Sequence, residues 1–226
     1  MNRAALHHGA QELGLDLSDE ALHQLEQFEE ALYVVNQQTN LTRVPREECW
    51  QRHFLDSLLV SSLIPIGVHV LDIGTGPGFP AWPLALARPD LTVVAADSAH
   101  KMTDFLRQFP LPNLIVAAVR IEEQRWSQEF DLITGRAFAP LAVMLEVASR
   151  ACRVGGAIVP FRTPIEQPLA QAFPAEKLGL YLESNVLVRL SGTDVVRYFP
   201  TFRKQTRTPQ PYPRPWAKIK KNPISA

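Results

Sequence analysis

Apolar residues along this chain follow two different periods, and the change comes near residue 68. Over 18–37, Leu22, Leu25, Phe28, Leu32 and Val35 recur three or four apart, the stripe of an amphipathic helix. Ser18 stands where an N-cap belongs, and Asp19 and Glu20 suit the positive end of the helix dipole. A second helix is predicted over about 47–63, where Trp50, Phe54 and Leu58 are spaced by four and so share a face. Both helices precede the first strand, so residues 1–66 read as a helical cap or lid.

From residue 68, short apolar runs alternate with helical stretches. Strands are predicted at 68–73, 91–96, 113–119, 130–134 and 156–161, with helices at about 80–88, 99–109 and 140–152. Such alternation builds a parallel sheet covered on both faces. Gly155-Gly156 reads as the turn into the fifth strand. Runs at 180–190 and 195–204, joined by Ser191-Gly192-Thr193-Asp194, predict a hairpin whose last strand is antiparallel to its neighbour. The expectation is an α/β domain over 67–206, with a seven-stranded sheet ending in an antiparallel hairpin. Prolines from Pro209 to Pro215 then break structure, so 207–226 reads as a basic, Pro-rich tail that orders only on a partner.

Composition narrows the setting. At 226 residues and 46% hydrophobic, the chain can bury a full core as one main domain with an extension. No uncharged apolar run of roughly 18 residues appears, and no apolar leader segment opens the chain. Cys49 and Cys152 lack metal-ligand spacing and fit reduced cytoplasmic thiols. Net charge is zero, yet residues 1–60 hold ten acids against four Lys or Arg, whereas no acid follows Asp194. Arg197, Arg203, Lys204, Arg207, Arg214, Lys218, Lys220 and Lys221 do follow it, a basic end suited to a polyanion such as RNA or to a merely solvated tail.

The candidate chemistry centres on Val70-Leu-Asp-Ile-Gly-Thr-Gly-Pro-Gly-Phe-Pro80. A buried strand ends in Asp72, a loop follows with Gly74, Gly76 and Gly78, and a helix starts after it. A second acid, Asp97, closes the next apolar run, where it can accept bonds from a ribose diol. The dinucleotide fingerprint needs its third glycine where Phe79 stands, and no Lys-Ser or Lys-Thr follows to make a P-loop. A carboxylate before the loop repels a pyrophosphate but suits a ligand with a cationic amino group. S-adenosylmethionine (SAM) is such a ligand, so Asp72, the three glycines and Asp97 are read as its site. The strand pattern agrees, since five parallel strands and a terminal hairpin describe the Rossmann-like class I SAM-dependent methyltransferase fold.

Further blocks carry a more specific resemblance. They are Asn40-Leu-Thr, His53-Phe-Leu-Asp-Ser57, Asp97-Ser98 with Lys101 and Phe105-Leu-Arg107, Arg120-Ile-Glu-Glu123, Arg136-Ala-Phe138, Arg197-Tyr198 and Tyr212-Pro-Arg214. With the glycine loop, the chain resembles the RsmG (GidB) family of bacterial ribosomal RNA methyltransferases over most of its length. The resemblance implies methyl transfer from SAM to N7 of a guanine in the 530 loop of 16S ribosomal RNA, with the 30S subunit as partner. It implies cofactor contacts at Gly74, Phe79, Ile121, Glu122 and Arg136, and basic residues for RNA or catalysis at Lys101, Arg120, Arg136, Arg162 and Arg197. Arg136 and Arg197 are taken as the catalytic pair; Arg203, Lys204, Arg214 and Lys218 join Lys101, Arg120 and Arg162 as RNA contacts. The enzyme is expected to be a cytoplasmic monomer with neither metal nor membrane.

The chain departs from the family at four places: Gly135 for a usual Ser, Ala81 for a usual Gly, an unusual Trp82, and Arg162 for a usual Lys. Guanine N7 carries an in-plane lone pair and needs no deprotonation, so the expected catalytic load falls on alignment and electrostatics. The chain lacks the Asn-Pro-Pro-Tyr segment that handles exocyclic amines. N7 lies in the deep groove of A-form RNA, so the target must be looped or flipped out. His53 and Asp56 are three apart on one helical face; they order the cap or bond each other. Trp82 and Trp126 are read as packing residues. Two other readings stay open on sequence grounds: a methyltransferase for another RNA or a small molecule, and a non-catalytic RNA-binding module.

Overall fold

The computed structural model describes residues 1–190 and 192–225. Helix α1 (Arg3–Glu12), which the apolar pattern did not predict, opens the cap, with the Asn2 side chain accepting from Ala5 N–H. Its buried stripe is only Leu6, Gly9 and Ala10, too thin to register as a period. A side chain at Gly9 would run into Leu55, 2.6 Å away. Helix α2 (Asp19–Asn36) begins as predicted, Ser18 Oγ accepting from Ala21 N–H at 3.1 Å.

The second predicted helix is present but not regular. A 3-10 turn (Arg46–Glu48) leads into a π-helical stretch (Trp50–Leu55), then α3 (Asp56–Leu58) and a second 3-10 turn (Ser61–Leu63). Wider π turns within α-helices are frequent at functional sites, and this one carries His53 to the edge of a cavity.

The sheet follows the predicted plan. Strands β1 (His69–Ile73), β2 (Thr92–Asp97), β3 (Leu114–Ala118), β4 (Phe130–Thr134) and β5 (Cys152–Ile158) are parallel. Between them lie α4 (Ala81–Ala87), α5 (His100–Leu106) and α6 (Leu141–Ser149). After β5 come α7 (Gln167–Ala172) and the hairpin β6 (Leu180–Arg189) and β7 (Val196–Lys204). Ser191, in the predicted hairpin turn, lies outside the described residues. The strand order β3-β2-β1-β4-β5-β7-β6 reverses direction between β1 and β4, which opens a crevice at the C-terminal ends of these strands.

The fifth strand starts earlier than predicted. Gly155 and Gly156 lie inside β5, not in a turn before it. Pairing with β4 jumps from Phe130–Cys152 to Leu132–Ala157, so extra residues bulge out. Gly155 takes φ +85°, and a Cβ on Gly156 would sit 2.7 Å from the Asp131 carbonyl oxygen.

Cap and sheet share one apolar core, which runs from Leu6 through Phe28 and Trp82 to Phe199. Phe28 of α2 is its hinge point, with Trp82 tilted against it at 4.4 Å and Phe105 and Phe79 edge-on at 5.3 and 5.7 Å. Gly78 lets the loop join this cluster, because a Cβ there would meet Leu106 at 2.7 Å and press on Trp82. Trp82 is fully packed, its indole N–H donating to the Phe109 carbonyl at 2.9 Å.

The C-terminal stretch is a docked element and not a free tail. Helix α8 (Trp216–Lys221) buries Ile219 completely. Arg214 donates from its backbone and its guanidinium to Glu146 of α6, at 2.6 to 2.9 Å. Glu146 has no exposed surface, and a buried carboxylate needs such a partner. Among the described residues no helix is long and apolar enough to cross a membrane.

Candidate active site

Asp72 ends up beneath the glycine loop rather than facing a ligand. It is fully buried, its Oδ2 accepts from Ala81 N–H at 3.2 Å, and its Oδ1 has no partner. Burial pushes its carboxyl up to about 7. The direct grip on a cationic amino group expected of Asp72 is therefore replaced by support of the turn into α4. Gly74 faces the open side. A Cβ there would lie 2.7 Å from the Phe138 ring, so the missing side chain seats Phe138 against the loop.

Two cavities meet at Gly74. The first, about 250 Å³, is walled by Ile73, Val119, Ile121 and Phe138, with Asp97, Arg120 and Glu122 at its rim. Asp97 is aimed by backbone donors, Gly76 N–H on Oδ2 and Ala99 N–H on Oδ1, both at 2.8 Å. Each oxygen keeps a further lone pair for a hydroxyl. Apolar walls for a planar base and the fixed Asp97 carboxylate at the strand end suit the adenosyl half of SAM. Gly74, Asp97, Ile121 and Glu122 line this volume, and Gly76 meets it through its bond to Asp97.

The second cavity, about 450 Å³, lies between loop, cap and β5, and carries four arginines: Arg52, Arg136, Arg162 and Arg197. At its centre Asp56, with no exposed surface, accepts Arg136 Nη1 at 2.6 Å on Oδ2 and Arg197 Nε at 2.6 Å on Oδ1. Arg197 Nη2 adds a third bond at 3.0 Å. Arg136 also donates to the Arg52 carbonyl at 2.9 Å and, through Nη2, to His53 Nδ1 at 3.2 Å. A guanidinium only donates, so His53 Nδ1 must be the acceptor and Nε2–H must donate to Thr42 Oγ1 at 2.7 Å. Burial and the neighbouring Arg136 push the imidazole down to about 3, which keeps it neutral. The His53 ring stacks flat on Phe79 at 4.1 Å, and Arg136 lies over the same ring at 5.6 Å.

His53 and Asp56 therefore do not bond each other; both hold Arg136. Sequence reasoning missed Thr42 and the bridging role of Asp56. Thr42 is placed by the helix before it, because Asn36 accepts from Leu41 and Thr42 N–H and donates to the Thr42 carbonyl. Lys101 pins the same loop from the sheet side, donating to the Asn40 carbonyl at 3.0 Å.

Arg162, expected on RNA, is buried at the wall of the second cavity. Its Nη1 donates to the Ala139 carbonyl at 2.9 Å, its Nη2 faces Met144 Sδ at 3.4 Å, and its Nε lacks a partner. It thereby holds the loop after Arg136, where Ala137 takes the left-handed φ of +57°. Gly135 belongs to the same arrangement. A Cβ there would lie 2.7 Å from the Ile73 carbonyl and 3.0 Å from Met144 Cε, leaving no room for the Ser usual in the family. Gly135 and Arg162 thus accommodate one methionine, and the flat guanidinium reaches both Ala139 and Met144, which a point-like ammonium suits poorly.

The other basic positions divide. Arg120 is exposed beside Glu122 and Glu123, and Lys218 is exposed on α8. Arg203 is engaged with Glu183 at 2.6 Å, and Arg214 with Glu146. Lys204 is buried at the opposite end of the sheet. Among the described residues no group of three or more His, Cys, Asp or Glu side chains gathers as metal ligands.

Comparison with known proteins gives the family and the fold. The family model described as rRNA small subunit methyltransferase G, GidB, matches residues 21–177. A ribosomal RNA small subunit methyltransferase G of Lachnoclostridium phytofermentans is 37% identical over 96% of this chain and 95% of its own. Among solved structures, M. jannaschii TYW2 in complex with AdoMet superposes with a TM-score of 0.53 at 16% identity, covering 66% of this chain and 74% of that one. A SAM-dependent methyltransferase from Aquifex aeolicus gives 0.51 at 16%, covering 69% and 92%. Those two likenesses establish the class I fold, and the sequence matches go further: this chain belongs to the GidB family of small-subunit ribosomal RNA methyltransferases.

Proposed function

We propose that this enzyme moves the methyl group of SAM onto N7 of a guanine in the 530 loop of 16S ribosomal RNA, acting as a cytoplasmic monomer on the 30S subunit or a precursor of it. The observation that carries this reading is the second cavity, which is cationic and engages its imidazole and its central carboxylate in holding arginines. His53 has both ring nitrogens engaged, Asp56 is held by two arginines, and Glu166 accepts from Thr163 on Oε2 while its Oε1 lies 3.7 Å from Arg162 Nη1. A nucleophile that must lose a proton would find only the Glu166 carboxylate there, beside Arg162; guanine N7 needs no acceptor.

Bound across Gly74, SAM supplies an electrophilic methyl on a sulfonium. The chain's own residues do the rest by placement. Asp97 and Glu122 orient the nucleoside half, and Phe79 and Phe138 wall the passage between the cavities. Arg136 and Arg197 present a fixed positive edge, suited to the phosphate or the O6 of an extruded guanosine, where preorganised charge is most effective. Arg162 keeps the Arg136 loop in register. Lys101, Arg120 and Lys218 are exposed and assigned to RNA phosphates.

Purified 30S subunits incubated with the enzyme and methyl-labelled SAM test this. Label should enter 16S RNA in a stoichiometric reaction. Absence of incorporation by protein that demonstrably binds SAM would overturn the reading. An Asp97→Ala variant should bind SAM about tenfold or more weakly, a loss on the scale of one charge-assisted hydrogen bond.

A further inference from the structure

We propose a phosphate-binding site at the end of the sheet opposite the cofactor crevice, formed by Lys204, Arg150 and Arg207. The three line a cavity of about 170 Å³ with Ser127, Gln128, Thr208 and Tyr212. Its position follows from the topology. Ser127 and Gln128 lead into β4, Arg150 links α6 to β5, and Lys204 ends β7, which runs antiparallel to β5. All lie at the N-terminal edge of the parallel strands, whereas the glycine loop, Asp97 and Arg136 follow the C-terminal edge.

Several features mark a site and not a solvated basic patch. Among the described residues, none of the three cations has a carboxylate within ion-pair reach, although most other arginines of the chain do. Lys204 is 1% exposed, so its charge sits in the wall and not at the end of a free stem. Its ammonium donates to the Leu178 carbonyl at 2.7 Å and to Thr208 Oγ1, which leaves one of three N–H donors for the cavity. Glu129, the acid nearest in sequence to Ser127, turns its carboxylate to the Ser127 N–H. The surrounding backbone is fixed: Gln128 takes a left-handed φ of +59° and donates its N–H to the Arg150 carbonyl at 3.0 Å. A buried ammonium without an anion is costly, and a phosphate group supplies the anion, with Arg150 and Arg207 closing from the rim. Burial also holds the Lys204 ammonium down to about 8, a cost an anion would relieve.

The phosphate can belong to an RNA backbone or be free in solution, and the test separates the two. An Arg150→Ala/Arg207→Ala double variant leaves the buried Lys204 and the catalytic cavity untouched. In the first arm, inorganic phosphate is titrated at ionic strength held constant with chloride, and thermal stability is read. At ten times its Kd, phosphate should raise the folded-to-unfolded ratio of the parent about elevenfold, and that of the double variant far less. In the second arm, binding of a 16S fragment containing the target loop is followed against salt. Loss of one backbone phosphate contact should lower the slope of log K against log salt by about 0.7. A lower slope identifies an RNA backbone phosphate; phosphate protection with an unchanged slope identifies free phosphate. If parent and double variant agree in both arms, the site does not exist. SAM affinity, measured alongside, should be the same in both proteins.

Discussion

Asp56 is the residue on which the active site turns. One carboxylate without exposed surface holds two guanidiniums from β7 and from the loop after β4, and thereby ties the cap to the sheet. Replacing it by Asn keeps the shape but removes the charge and one acceptor, leaving two cations unneutralised. The Asp56→Asn enzyme should bind SAM like the parent and transfer methyl about a hundredfold more slowly in single turnover, the scale expected of misplaced positioning groups. An unchanged rate would show that Arg136 and Arg197 need no such anchor. His53 makes the companion prediction. Its folded value of about 3 lies below the ordinary imidazole, so the unfolded chain takes up the proton first. Stability from this residue is therefore present above the ordinary imidazole value of about 6.5 and is lost as pH falls from there towards 3. In the folded protein, the His53 ring resonances should not titrate between about pH 7 and 5; a midpoint in that window would contradict a ring that is both buried and held by Arg136.

At the scale of elements, the strands were largely legible in the sequence because a sheet buried on both faces writes itself as continuous apolar runs. The glycine loop and Asp97 were legible for the same reason, being fixed to strand ends by position. What the pattern missed depended on contacts distant in the chain. Helix α1 buries too few residues to show a period, and the π turn before Asp56 has no sequence mark apart from the cluster it creates. Gly155 and Gly156 looked like a turn because a bulge and a turn ask for the same residues. The basic end misled most. Arg214 looks free until Glu146, 68 residues earlier, is seen buried beside it. Helix α8 should therefore be ordered without RNA. Limited proteolysis with trypsin should leave Lys218, Lys220 and Lys221 uncut in the free protein, whereas Arg214→Ala, which strands a buried carboxylate, should expose them and cost about 3–5 kcal/mol in urea unfolding. Rapid cleavage of the parent at these lysines would contradict the docked helix.

For the whole molecule, a net charge of zero conceals a strict division of labour. Acids concentrate in the cap, where they face outward or pair, while arginines converge from four chain segments on a single cavity beside the glycine loop. That convergence, and not overall charge, suits the enzyme to RNA. The shared aromatic core makes cap and sheet one body, so the cavity walls are set before substrate arrives, as catalysis by alignment requires. The central claim is that this preset cavity methylates N7 of a single guanine without a general base. The most direct measurement is to treat 30S subunits with enzyme and SAM, extract the 16S RNA, and cleave it chemically at N7-methylguanine. Cleavage at one guanine of the 530 loop, absent without SAM, is the predicted result. Methylation found at an exocyclic amine, a ribose hydroxyl or a pyrimidine carbon would contradict the account, because each of those needs an activating group, and the imidazole and central carboxylate of this cavity are committed to arginines.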